Sequence, residues 1–178
     1  MDFISEYDEL SNSIELCLYH RYHSSKNRLV AVHHYLTEIR IDIPHNKDGW
    51  VVDDYDEPLF HWQKIRDFPL LITLSVEIYP FEDLTKMGGN RSLKYLTIGC
   101  QENPSELRSI EGMDLFPHLE TLEIYHCPYL NNVLEVLSTH KKIFFKKLVI
   151  KNCRNYLDYV SIDNLLEYCL KNEIIFVY

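Results

Sequence analysis

The sequence predicts an α/β fold built as a solenoid, with a curved parallel sheet on one side and helices or helical turns on the convex side. Three observations predict it. Five marked positions of one segment recur 26 residues later. Within each copy, apolar and polar residues alternate as in a strand with one buried face. Between the copies lie short segments with helical spacing.

The clearest copies are Leu119-x-x-Leu122-x-Ile124-x-x-Cys127-x-x-Leu130 and Phe145-x-x-Leu148-x-Ile150-x-x-Cys153-x-x-Tyr156. One interval back, Leu93-x-x-Leu96-x-Ile98 keeps the strand part, with Cys100 one place early and Gln101 in the cysteine slot. One interval forward, Lys171-x-x-Ile174-x-Phe176 falls on the same frame. Upstream, Leu71-x-x-Leu74-x-Val76 and Leu36-x-x-Ile39-x-Ile41 fit at intervals of 22 and 35 residues. SIELCLY (13–19) puts Ile14, Leu16 and Leu18 on one face, as a further strand or an N-terminal cap.

The segments between strands carry helix signals. Asn131 or Asn132 can cap a turn bearing Val133, Leu134 and Leu137, and Ser161 can cap a helix with Ile162, Leu165, Leu166 and Cys169 on one side. Pro104-Ser105-Glu106-Leu107 opens a weaker helical segment before Ile110, and Gly88-Gly89-Asn90 reads as a turn into a strand. One strand-helix unit cannot bury its apolar face alone, so such units stack and their leucine and isoleucine columns form a continuous core.

The pattern L-x-x-L-x-L-x-x-C-x-x-L at this period resembles the cysteine-containing class of leucine-rich repeats, familiar from F-box substrate receptors and plant immune receptors. The resemblance implies a curved repeat architecture and a habit of binding proteins through the concave sheet. Length and the repeat intervals predict one domain over 1–178, with an irregular N-terminal cap region (1–60) and repeats over 61–178, regular from residue 93. The first 60 residues carry no recognisable F-box or nucleotide-binding module.

Composition narrows the functions. The 178 residues are 46% hydrophobic, enough for one substantial core, and carry a net charge of -9. That field repels phosphate, so neither nucleic acid nor an anionic membrane is expected as a partner, and a protein with a basic surface would be steered in. The acidic N-terminus MDFISEYDEL is unlike a secretory signal, and no long apolar run occurs, which predicts a soluble, cytoplasmic protein. Five widely spread cysteines are an odd number and read as reduced thiols.

Strand alternation sorts core from surface. Leu122 and Ile124 turn inward, which leaves Thr121, Glu123 and Tyr125 on the sheet face. The equivalent exposed sets are Thr73, Ser75 and Glu77; Tyr95, Thr97 and Gly99; Lys147, Val149 and Lys151; and Glu173, Ile175 and Val177. From these, Tyr95, Thr97, Thr121, Glu123, Tyr125, Lys147 and Lys151 are the expected partner-binding residues, with the two tyrosines as amphipathic anchors. Ile175 and Val177 would make an apolar C-terminal strand, suited to a cap or to self-association.

Candidate chemistry is thinner. His20, His23, His33, His34, His45 and His61 lie near Cys17 in sequence, but without a finger-like spacing no metal site is expected. Cys127 follows His126, yet neighbours at a strand end point in opposite directions, and the repeat puts Cys127 in a buried column rather than beside a base. VVDDYDEP (51–58) lacks the glycine and terminal Glu of a calcium loop and reads as a solvated acidic loop. The expected function is therefore a non-enzymatic interaction module without cofactor: an adaptor, an effector or a toxin-neutralising immunity protein. The alternatives are a substrate-recognition subunit of a ubiquitin ligase or other large complex, and an N-terminal Cys/His metal site or enzyme.

Overall fold

A computed structural model describes residues 7–8, 13–17, 37–42, 62–77, 79, 81–99, 104–139, 144–153 and 159–178. Among the described residues eight strands form one sheet whose spatial order is the chain order, so each strand lies beside the one that precedes it. They are β1 (Tyr7–Asp8), β2 (Ser13–Cys17), β3 (Glu38–Asp42), β4 (Thr73–Val76), β5 (Tyr95–Ile98), β6 (Thr121–Tyr125), β7 (Lys147–Lys151) and β8 (Ile175–Val177). The short β1 is antiparallel to β2. Every later neighbour pairs in parallel. SIELC is thus a strand of the sheet, and the β1–β2 hairpin is an element the sequence reading did not contain.

Register follows the apolar columns. Ile39, Leu74, Leu96, Leu122 and Leu148 lie side by side, and Ile41, Val76, Ile98, Ile124 and Ile150 form the next column. These residues are almost completely buried. The irregular upstream intervals of 22 and 35 residues therefore leave the strand register intact, because the extra or missing residues fall in the connections.

The last unit departs from the 26-residue frame. Leu148 pairs with Phe176, not with Ile174. A 13-residue helix, α2 (Tyr159–Lys171), precedes β8, and its exit uses the additional two residues. Glu173 takes a left-handed φ of 58°. Its N–H donates to the carbonyl of Leu170, while that of Ile174 donates to Cys169, which closes the helix as a Schellman turn. A shift of two preserves strand parity, so Ile175 and Val177 keep the predicted side while Glu173 moves off the sheet into the turn.

The described connecting segments lie on the buried side of the sheet. They comprise 3-10 turns at Trp62–Asp67, Leu84–Met87 and Met113–Leu115, then α1 (Val133–Thr139) and α2. Leu84, Met87, Met113, Val133, Leu137 and Leu165 join the strand leucines in one core. Tyr168 ties the two helices together by donating its hydroxyl to the carbonyl of Leu137 at 2.7 Å.

Two helix expectations need correction. Ser161 lies within α2 rather than at its start. The segment from Pro104 to Ile110 has no regular secondary structure, because its polar groups bond sideways to neighbouring units. The N–H of Ser105 donates to the carbonyl of His126, and the N–H groups of Arg108 and Ser109 donate to that of Glu82.

Asn90 is the polar centre of the turn that the sequence marked as Gly88-Gly89-Asn90. Only 3% exposed, it donates its amide to the carbonyls of Ile65 and Phe68. Its side-chain oxygen accepts from the N–H groups of Ser92 and Leu93, and its own N–H donates to the carbonyl of Leu115. One side chain therefore satisfies backbone groups of two consecutive units, which a buried turn must have met.

Candidate functional site

The parallel register of β5, β6 and β7 places the expected partner-binding residues beside one another. Tyr95 pairs with Thr121, and Thr97 with Glu123. Thr121 pairs with Lys147, Glu123 with Val149, and Tyr125 with Lys151. All seven lie on the sheet face opposite the core, and each is at least partly exposed. Tyr95 stands out at 42% exposure.

Glu123 is the hub of this face. Its carboxylate accepts from Lys147 Nζ at 2.8 Å and from the Tyr125 hydroxyl at 3.0 Å. Burial alone would raise its pKa, but the hydrogen bonds from Lys147 and Tyr125, with the charge of Lys151 nearby, hold the carboxyl below its ordinary value. Partial burial, reinforced by Glu123, raises the Tyr125 phenol. The result is a preset group of one acid, one phenol and two ammoniums.

A second charged row runs across the N-terminal ends of the same strands. Glu120 pairs with Lys94 at 3.3 Å and with Lys146 at 2.7 Å. The hydrogen bond from Lys146, followed by that from Lys94, lowers the Glu120 pKa. Sequence reasoning missed this row, although its signal was available: Lys94, Glu120 and Lys146 alternate in sign at the repeat interval.

Two members of the expected exposed sets are buried. Val149 is 3% exposed, because this short side chain sits in mid-sheet between Glu123 and Val177. Gly99 is buried just past β5, at a φ of +85°, and a Cβ there would lie 1.9 Å from the Tyr125 carbonyl oxygen. Only glycine permits that approach of one unit to the next.

The cysteine column is internal. The N–H of Cys127 donates to Cys153 Sγ at 3.3 Å, and Cys127 Sγ donates to the Tyr125 carbonyl. Neither bond involves His126. The adjoining sulfur of Cys153, then burial, push the Cys127 thiol well above its ordinary pKa, which opposes a nucleophilic thiolate. One unit earlier, Ser105 Oγ accepts from the N–H of Tyr79 at 3.2 Å and also lies against Cys127. Ser105 therefore fills the column in the unit where the repeat frame assigned Gln101, a residue outside the described set.

Among the described residues no three His, Cys, Asp or Glu side chains are grouped to hold a metal ion. His20, His23, His33, His34, His45, His61 and the acidic loop 51–58 lie outside the described residues. A cleft of about 390 Å³ is lined by Arg66, Phe68, Gly89, Arg91 and Leu115 among others, with no carboxylate, imidazole or thiol in its wall. No helix among the described residues is long and apolar enough to cross a membrane. No protein-family model, curated protein or solved structure matches this chain.

Proposed function

We propose that this chain is a leucine-rich-repeat module of the cysteine-containing type that binds a protein through its outer sheet face and performs no catalysis. The observation that carries the reading is the juxtaposition of Tyr95, Glu123, Tyr125 and Lys147 on three adjacent strands. Glu123, Tyr125 and Lys147 are already held in place by hydrogen bonds to one another. Such preorganisation lowers the entropy lost when a partner docks, and tyrosine supplies contact area at low conformational cost.

Support for the repeat class comes from one strand per unit, leucine columns in register, and the hydrogen bond from the Cys127 N–H to Cys153 Sγ at an interval of 26 residues. Within this class we favour a cytoplasmic adaptor, effector or toxin-neutralising protein. The three described cysteines that are free thiols, Cys127, Cys153 and Cys169, are consistent with a reducing compartment. The exposed Ile175 of β8 supports self-association as an additional use of the C-terminal strand.

The test is an affinity capture from the native source with wild type and with Tyr125→Ala. The reading expects a protein captured by wild type and depleted by the variant, while the thermal melts coincide. Equal recovery with both proteins would remove the outer face from the account.

A further inference from the structure

Around β5 to β7 the outer face has a local charge opposite to that of the whole chain. Around β5 to β7 stand Lys94, Lys146, Lys147 and Lys151, against the carboxylates of Glu120 and Glu123. The carboxylates are the recessed members: their side chains are 20% and 24% exposed, whereas those of Lys94, Lys146 and Lys147 are 47%, 67% and 39% exposed. Among the described residues Lys151 makes no ion pair and is exposed. A docking molecule therefore meets ammonium groups first, with the acids already neutralised beneath them.

An apolar strip adjoins these lysines. Lys147 pairs with Ile175, which is 63% exposed, and Val149 pairs with Val177. The net charge of -9 governs the field at a distance, but its influence decays over about one Debye length, roughly 8 Å in physiological salt. At contact the nearest charges decide, and complementary local potentials fix partner and register.

From this we infer that the face across β6, β7 and β8 takes an acidic protein segment. Its carboxylates would lie on Lys147 and Lys151, and an adjacent apolar side chain would lie on Ile175 and Val177. The inference rests on the reading of this face as a partner-binding surface and specifies the chemistry of the partner. Nucleic acid also carries anions, but phosphate does not use an aliphatic strip, and the chain's overall field opposes a long polyanion.

A displayed library of random peptides, selected on the immobilised full chain, tests it. The enriched peptides are expected to be net negative and to contain an apolar residue. A synthetic representative should bind the Lys147→Glu, Lys151→Glu double variant about tenfold or more weakly, since like charges replace attractive ones. Lys151→Glu alone alters no ion pair among the described residues, so it serves if the double variant fails to fold, and it should still weaken binding. Tyr125→Ala should also weaken binding by removing an aromatic contact from the face.

Enrichment of basic peptides that Tyr125→Ala weakens would overturn the acidic assignment and leave the face reading in place. Acidic peptides indifferent to the lysine variants and to Tyr125→Ala would sink both. An absence of any enriched peptide counts against this inference and leaves the face reading to the affinity capture. A random single-stranded RNA pool bound as tightly as the best peptide, and released by Lys151→Glu, would also overturn it.

Discussion

Asn90 and Glu123 show how much one side chain can organise. With Asn90→Ala the carbonyls of Ile65 and Phe68 and the N–H groups of Ser92 and Leu93 all lose a partner. Each buried unsatisfied group costs about 1–3 kcal/mol, so chemical denaturation should show a loss of about 3 kcal/mol or more. Glu123 is depressed in the folded state, so its contribution is present above its unfolded pKa, about 4.3, and is lost as pH falls through the lower folded value. Melts of wild type and Glu123→Gln should therefore differ at pH 6, and the gap should shrink below about pH 4.3 and close only once the pH is under the depressed folded value. A gap that persists unchanged at low pH would mean that the carboxylate's charge is not what the fold uses.

At the scale of the element, strand parity divides β6 into two functions. Leu122 lies wholly in the core and Tyr125 on the open face. Leu122→Ala or Leu148→Ala should cost about 2–5 kcal/mol in folding, as for other buried leucines, and Tyr125→Ala under about 1 kcal/mol. If urea titration instead finds Tyr125→Ala the more damaging, the strand phase is reversed. The exit of α2 offers a gain: Glu173 holds a left-handed φ of 58°, where glycine is unstrained. Glu173→Gly should raise stability by about 1 kcal/mol and raise the melting temperature.

These elements were legible in the sequence to different degrees. Leu96, Leu122 and Leu148 repeat the same local pattern, so their alternation alone gave strand positions and register. Ser105 was not legible, because the unit holding it fills the cysteine column four residues beyond the repeat frame, and a hydroxyl can substitute for a thiol there without any motif to announce it. The two-residue shift at β8 depends on where α2 ends, and that is set by a turn at Glu173 with no glycine to mark it. Val149 looked exposed by parity, but burial in mid-sheet depends on the length of the neighbouring side chains.

For the whole molecule, the stacked units explain why residues 26 positions apart act together. Charge rows, the cysteine column and the leucine columns all run across the strands rather than along them. The same geometry separates two electrostatic ranges. The chain is acidic overall, yet the face proposed to work is lysine-rich, so association rate and bound-state affinity should respond differently to salt. For a bound acidic segment, added salt should speed dissociation, while the repulsive long-range field should make its association rate rise or stay level. Stopped-flow mixing across ionic strength measures both rates.

The central claim is that Tyr125 and its neighbours bind while Cys127, two residues on, only supports. It is tested most directly by comparing Tyr125→Ala with Cys127→Ala in a paired measurement of partner affinity and unfolding free energy. The account predicts that Tyr125→Ala weakens binding by about 1–3 kcal/mol with stability nearly unchanged, whereas Cys127→Ala lowers stability and leaves the affinity of the folded fraction intact. Loss of affinity in a fully folded Cys127→Ala protein, with Tyr125→Ala binding normally, would contradict it.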